Sequence, residues 1–190
     1  MMLLPIYRSA VRQFDSRVRA IRQEQWESST PDDEWDVRRL VRHVIVGQSM
    51  VPDILRGNSP IPVVDQPAAT GPELVEQWAS ASTAAVAALT DVESFDQQVN
   101  LPDGQASVEE FGWRLATDLT VHAWDLARAI AAPDEFPNDL LAHVLEQSKR
   151  SADKWFPPER YLPPIPVPGC TDDLTELLAL TGRNRWWRRS

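Results

Sequence analysis

No proline interrupts the chain between Ser107 and Pro133, and a single stripe runs the length of that stretch. Val108, Phe111, Leu115, Leu119, His122, Leu126 and Ile130 recur every three or four residues. That period belongs to a helix with one face turned to a core. A helix this long must cover its stripe with other helices, so the rest of the chain is read for partners.

Partners are plentiful. Within residues 4–25, Tyr7, Val11, Phe14, Val18 and Ile21 are spaced 4, 3, 4 and 3 apart, and the string ESSTPDDEW with Pro31 then breaks the pattern. Asp36 suits the N-cap of DVRRLVRHVIVGQSMV, whose Val37, Leu40, Val41, Val44 and Gln48/Val51 share one side. Pro52 is expected to end or kink that helix. Residues 57–70, with Pro60, Pro62 and Pro67, read as a crossover loop. Thr70 and Glu73 form a capping box for a helix running to about Leu89, with Leu74, Trp78, Ala81, Ala85 and Leu89 inward.

Phe95, Val99 and Leu101, before a turn at Asp103-Gly104, fit a brief extended segment or hairpin. Ser107 and Glu110 make a second capping box, opening the long helix. A helix from Asn138 to about Trp155 turns Leu141, Val144, Leu145 and Ser148 inward. FPPERYLPPIPVPGC is an extended strap. DDLTELLALTG is a short final helix, with acids at its positive end and Gly182 at a left-handed C-cap. The sum is an all-α four-helix bundle with one long crossover, a Pro-rich strap and a short C-terminal helix, over residues 1–182.

Residues 183–190 carry Arg183, Arg185, Arg188 and Arg189 beside two Trp. The whole chain has 28 acidic against 19 basic residues, a formal charge of -9, so the body without these four is more acidic still. Such a tail either folds back on the body, pairs with a second copy or frays into solvent; the frayed terminus is the plainest expectation. A net acidic chain lacks the basic face that nucleic acid requires. The opening MMLLPIYRSAVRQF is too short an apolar run for a secretory signal, and no apolar stretch is long enough to span a membrane. One cysteine, Cys170, makes no internal disulfide, and with no basic or metal-ligating neighbour it is expected to be inert. These features place the chain in a reducing, cytoplasmic setting.

No GxSxG, P-loop or GxGxxG string occurs, which removes the nucleophile-elbow and nucleotide-binding readings. Three histidines remain to be weighed. His122 lies on the inner stripe, four residues after Asp118, and side chains so spaced face the same way. His43, beside the inner stripe of the second helix, is the available third group. Two imidazoles and a carboxylate can hold a zinc-type ion and leave a position open for water or substrate. The same spacing also produces a plain Asp–His hydrogen bond in a core, and spacing alone does not separate the two. Asp125 fits either a supporting bond to His122 or an ion pair with Arg128, the plainer reading. His143 reads as packing or surface, and the eight Trp as core.

The strings DVRRLVRHVIVG, DLTVHAWDLARAI and LLALTGRNRWW resemble the DinB-like proteins. More closely, they resemble the family named for the N-terminal domain of mycothiol-dependent maleylpyruvate isomerase. The resemblance runs from about Phe14 to Trp187. It implies a bundle whose metal is held by a His of the second helix and an acid-xxx-His pair of a later one, which fall on His43, Asp118 and His122. The isomerase has Glu where Asp118 stands, many relatives have Cys where Asp32 stands, and the isomerase carries a further C-terminal domain. The resemblance further implies a divalent metal (Zn first, then Ni, Mn or Fe), a low-molecular-weight thiol such as mycothiol, and a homodimer. The function expected is isomerisation or S-transfer on a small electrophile. The alternative is a metal-binding or regulatory bundle without catalysis.

Overall fold

The computed structural model describes residues 2–32, 34–58, 69–155, 163–167, 169 and 172–189. Four long helices make the core: α1 (Leu3–Val18), α2 (Val37–Leu55), α3 (Gly71–Thr90) and α4 (Val108–Ile130). α1 packs on α3 and α4, and α2 packs on the same two, so α1 and α2 face each other across the bundle's diagonal. Tyr7 of α1 reaches over that diagonal and donates its hydroxyl to Gln48 Oε1 of α2. Leu3, Phe14, Leu40, Leu74, Trp78, Leu119 and Leu126 are fully buried, each worth roughly 1.5–3 kcal/mol of apolar transfer. Phe14 and Trp78 meet edge to face at 4.7 Å, and the Trp78 indole donates to Asp15 at 3.0 Å.

The helix starts follow from capping chemistry. Asp36 accepts from the Arg39 amide, and Asp172 accepts from the Thr175 amide. Thr70 and Glu73 form the reciprocal capping box. Ser107 accepts from the Glu110 amide. The Glu110 side chain does not return the bond; it takes the Trp155 indole and the Lys154 ammonium instead. The second capping box is therefore only half formed.

Pro52 does not end α2, which continues to Leu55. Proline here removes one hydrogen bond only a turn before the end; the Arg56 amide closes the helix on the Pro52 and Asp53 carbonyls, and the Gly57 amide on that of Ile54. The helix expected from Asn138 to Trp155 is broken at Ser151 into α5 (Asn138–Arg150) and α6 (Ala152–Trp155). A short antiparallel hairpin, β1 (Gln98–Leu101) and β2 (Gly104–Ser107), precedes α4, with Gly104 at φ +130° opposite Leu101. α5 lies on α1, α4 and α7 (Asp173–Leu180). Gly182 follows α7 at φ +74°, a left-handed backbone that glycine adopts without strain.

α4 is the bundle's centre. From Leu115 to Ala127 every residue except Asp118 is buried. Its hydroxyls are satisfied locally, Thr120 by the Ala116 carbonyl and Thr117 by Ser148 of α5.

The C-terminal segment is not frayed over residues 183–189. Arg185 pairs with Asp134 at 2.7 Å, Arg128 donates to the Trp187 carbonyl, and Arg189 donates to the Ala129 carbonyl. Its basic side chains find acids and helix-end carbonyls on the acidic body, and the last turn is held there. Trp186 alone among these aromatics faces solvent. Most of the crossover loop (59–68), most of the strap (156–162, 168, 170) and Cys170 lie outside the described residues. Among the described residues, no helix is long and apolar enough to cross a membrane.

Candidate metal centre

α2 and α4 pack side by side and bring three groups to one point. His43 projects from α2; Asp118 and His122 project one turn apart from α4. One ligand-type atom from each lies within 4.8 Å of the others. His122 Nε2 is 3.4 Å from Asp118 Oδ1, and the two imidazoles meet at 5.2 Å, nearly perpendicular. Two donors held about 2.1 Å from one ion stand at most about 4.2 Å apart. At the tetrahedral angle that separation falls to about 3.4 Å, so closing the cluster needs the farthest pair of atoms to approach by up to about 1.4 Å, within reach of side-chain torsions. Two imidazole nitrogens and one carboxylate oxygen are a donor set that a zinc-type ion accepts.

The burial is graded. His43 is exposed, the Asp118 side chain is 34% accessible and His122 only 7%. Even so, protein atoms crowd all three, which describes the floor of an open depression. Asp118 and His122 also line, with Arg114, Thr117, Val121, Trp155, Thr181 and Arg183, a small cavity of about 30 Å³ open to solvent. Arg114 is already held there by Asp103, through two bonds.

The electrostatics oppose desolvation throughout. Burial would raise the Asp118 carboxyl, but His122, His43 and Arg183 outweigh it and bring it down to about 2. Burial would lower His122, yet Asp118 and Asp125 lift it to about 9. His43, where burial dominates, is lowered. With no cation the Asp118–His122 pair is therefore an ion pair, and a cation taking both groups must displace the His122 proton.

Sequence reasoning missed two supporting residues, Trp35 and Arg183, and left a third, Asp125, between two readings. Trp35 is laid over both imidazoles, 4.6 Å from His43 and 5.8 Å from His122. Its loop is pinned by the Ser29–Asp36 bridge and by Thr30, whose amide and hydroxyl both donate to the Trp35 carbonyl. Asp125 takes the supporting role and not the plain one. Its Oδ2 is 3.0 Å from His122 Nδ1, while Arg128 turns to Asp134. Arg183 Nη2 lies 3.3 Å from the same Asp125 oxygen and 3.5 Å from Asp32. The only signal for Arg183 was its place after Gly182, which turns the chain back toward α4. His143 stays out of the site, bonded to the Asp139 carbonyl and stacked on Trp113.

Comparison with known proteins agrees with this architecture. The family model described as mycothiol maleylpyruvate isomerase N-terminal domain matches residues 7–127. An uncharacterized protein of Mycobacterium tuberculosis, in strain CDC 1551 / Oshkosh and in strain ATCC 25618 / H37Rv, is 26% identical over 165 residues, covering 86% of this chain and 87% of that protein. Crystal structures of the mycothiol-dependent maleylpyruvate isomerase and of a mutant of it superpose with a TM-score of 0.63 at 14% identity, covering 75% of this chain. The match spans 66% of that isomerase chain, and at this identity the likeness is one of fold.

Proposed function

Because the chain belongs to the mycothiol maleylpyruvate isomerase N-terminal domain family, we propose that it is a divalent-metal protein that uses a small thiol such as mycothiol to isomerise a small electrophile, or conjugates the thiol to it through sulfur. The observation that carries this reading is the convergence of His43, Asp118 and His122 from two packed helices, with Asp118 and His122 lining a cavity open to solvent. These three side chains would hold the ion. A bound cation supplies a Lewis acid at which a thiol is kept deprotonated near neutral pH.

The protein's own groups do the rest. Asp125 fixes the His122 ring through Nδ1 and so leaves Nε2 facing the cluster. Trp35 roofs both imidazoles and limits water on that side. Val121 and Trp155 give the adjoining cavity apolar walls. Thr181 donates to the Leu177 and Leu178 carbonyls and Thr117 shares a hydrogen bond with Ser148, so both hydroxyls at the cavity are already engaged.

The test starts with elemental analysis of protein purified without chelator, followed by loading with Zn, Ni, Mn or Fe. Expected is one ion per chain, lost in His122→Ala. The loaded protein is then assayed with mycothiol and a panel of electrophiles. Failure to load any of these ions overturns the reading. Loading without thiol conjugation or isomerisation leaves a metal-binding bundle and overturns the enzymatic part.

A further inference from the structure

Arg183 lies 56 residues beyond the stretch that the family model matches, yet it is nine-tenths buried against that stretch. Its Nη2 is shared between Asp125 and Asp32, and its Nη1 donates to the Thr181 carbonyl. Asp125 is wholly buried. All its hydrogen bonding runs through Oδ2, since Oδ1 has no partner among the described residues. That one oxygen meets two groups, His122 Nδ1 and Arg183. Among the described residues these two are its only hydrogen-bond partners.

We propose that Arg183 is a positioning residue for the metal centre: by anchoring the Asp125 carboxylate it aims the His122 ring, so the C-terminal segment completes a site built by α2 and α4. The chain of contacts is Arg183–Asp125–His122, and it ends on a group assigned to the cation. This inference rests on the metal reading above for its consequence, but the Asp125–His122 geometry is independent of it. Asp32 gives the guanidinium a second carboxylate and holds it from the α1–α2 connection. The C-terminus and the loop before α2 thus meet at one cation of the protein's own. Partners that orient a ligating histidine typically change metal affinity by about 10- to 100-fold when removed.

The experiment compares wild type with Arg183→Gln, Arg183→Lys and Arg185→Ala. Arg185 ties the same segment to Asp134, away from the cluster, so its variant measures tail attachment alone. Zn affinity is read by competition with a chromophoric chelator. The His122 Nδ1–H is read separately by imidazole nitrogen NMR on chelator-treated protein. Expected is a roughly 10- to 100-fold loss of affinity in Arg183→Gln, partial rescue in Arg183→Lys and less than a twofold change in Arg185→Ala. The protected Nδ1–H signal should disappear in Arg183→Gln and persist in Arg185→Ala.

An unchanged Nδ1–H signal in folded Arg183→Gln overturns the proposal, as does equal loss of affinity in the Gln and Arg185→Ala variants. If Arg183→Gln does not fold, the Lys variant decides: a weakened Nδ1–H signal with an intermediate Zn affinity supports the positioning role, and an unaltered signal with wild-type affinity overturns it. If wild type binds no Zn while the NMR result holds, the metal reading fails and the positioning role stands.

Discussion

The Trp35 indole lies 4.6 Å from the His43 imidazole, centroid to centroid, tilted at 46°. An aromatic face this close to a group that would gain a cation makes Trp35 a reporter. Titrating chelator-treated protein with Zn should change the intrinsic fluorescence to a stoichiometric end point. Trp35→Phe should remove most of the change while binding persists, by isothermal titration. An undiminished signal in that variant would place the reporter elsewhere.

Chelator-treated protein should lose stability on both sides of a plateau. His122 is raised from 6.5 to about 9, so its contribution is complete below pH 6.5 and fades as pH climbs to about 9. Asp118 is lowered from 3.8 to about 2, so its contribution is complete above 3.8 and fades toward pH 2. The melting temperature should drop by about 2–8 °C between pH 6.5 and 9, for a loss of about 1–2 kcal/mol. A flat profile over that range would contradict the assigned ion pair.

His43→Ala and His122→Ala should part company. His43 is exposed, so its loss should change stability by no more than about 0.5 kcal/mol while abolishing stoichiometric loading. His122 is buried between two carboxylates. Its removal should cost about 1–3 kcal/mol as well as the metal. Urea unfolding with inductively coupled plasma analysis separates the two effects. Retained loading in His43→Ala would remove that residue from the ligand set.

Gly112→Ala should destabilise the bundle without touching the site. A methyl group there would sit 2.6 Å from Leu3 Cδ2, and Leu3 is fully buried at the α1–α4 contact. Overpacking costs about 1–3 kcal/mol, against a helix-propensity gain of about 1 kcal/mol for alanine. The expected net loss, up to about 2 kcal/mol, is measurable by denaturant unfolding, with Zn stoichiometry unchanged.

The scaffold was legible because apolar spacing on Tyr7, Phe14, Leu40, Val44, Leu74, Trp78, Leu119 and Leu126 directly encodes which face of each helix is covered. The stripe on α4 named only one face, however. Trp113, Val121, Ala123 and Trp124 are buried too, because a central helix is covered on several sides and periodicity cannot count its neighbours. His43, Asp118 and His122 were reachable from helix spacing and the family resemblance together. Trp35 and Arg183 were not. Each acts across a loop or over more than fifty residues of chain, through contacts that no local pattern records. Asp125 was ambiguous because Arg128 and His122 are both three residues away, and only the folded chain shows which it reaches.

The terminus that closes on Asp125 also reaches the chain's beginning. Arg189 donates to Ser28, and Arg183 reaches Asp32, both on the link between the first two core helices. Synthesis delivers the core helices before these arginines. A growing chain therefore carries all four rods before the residues that clasp the link between the first two have been made.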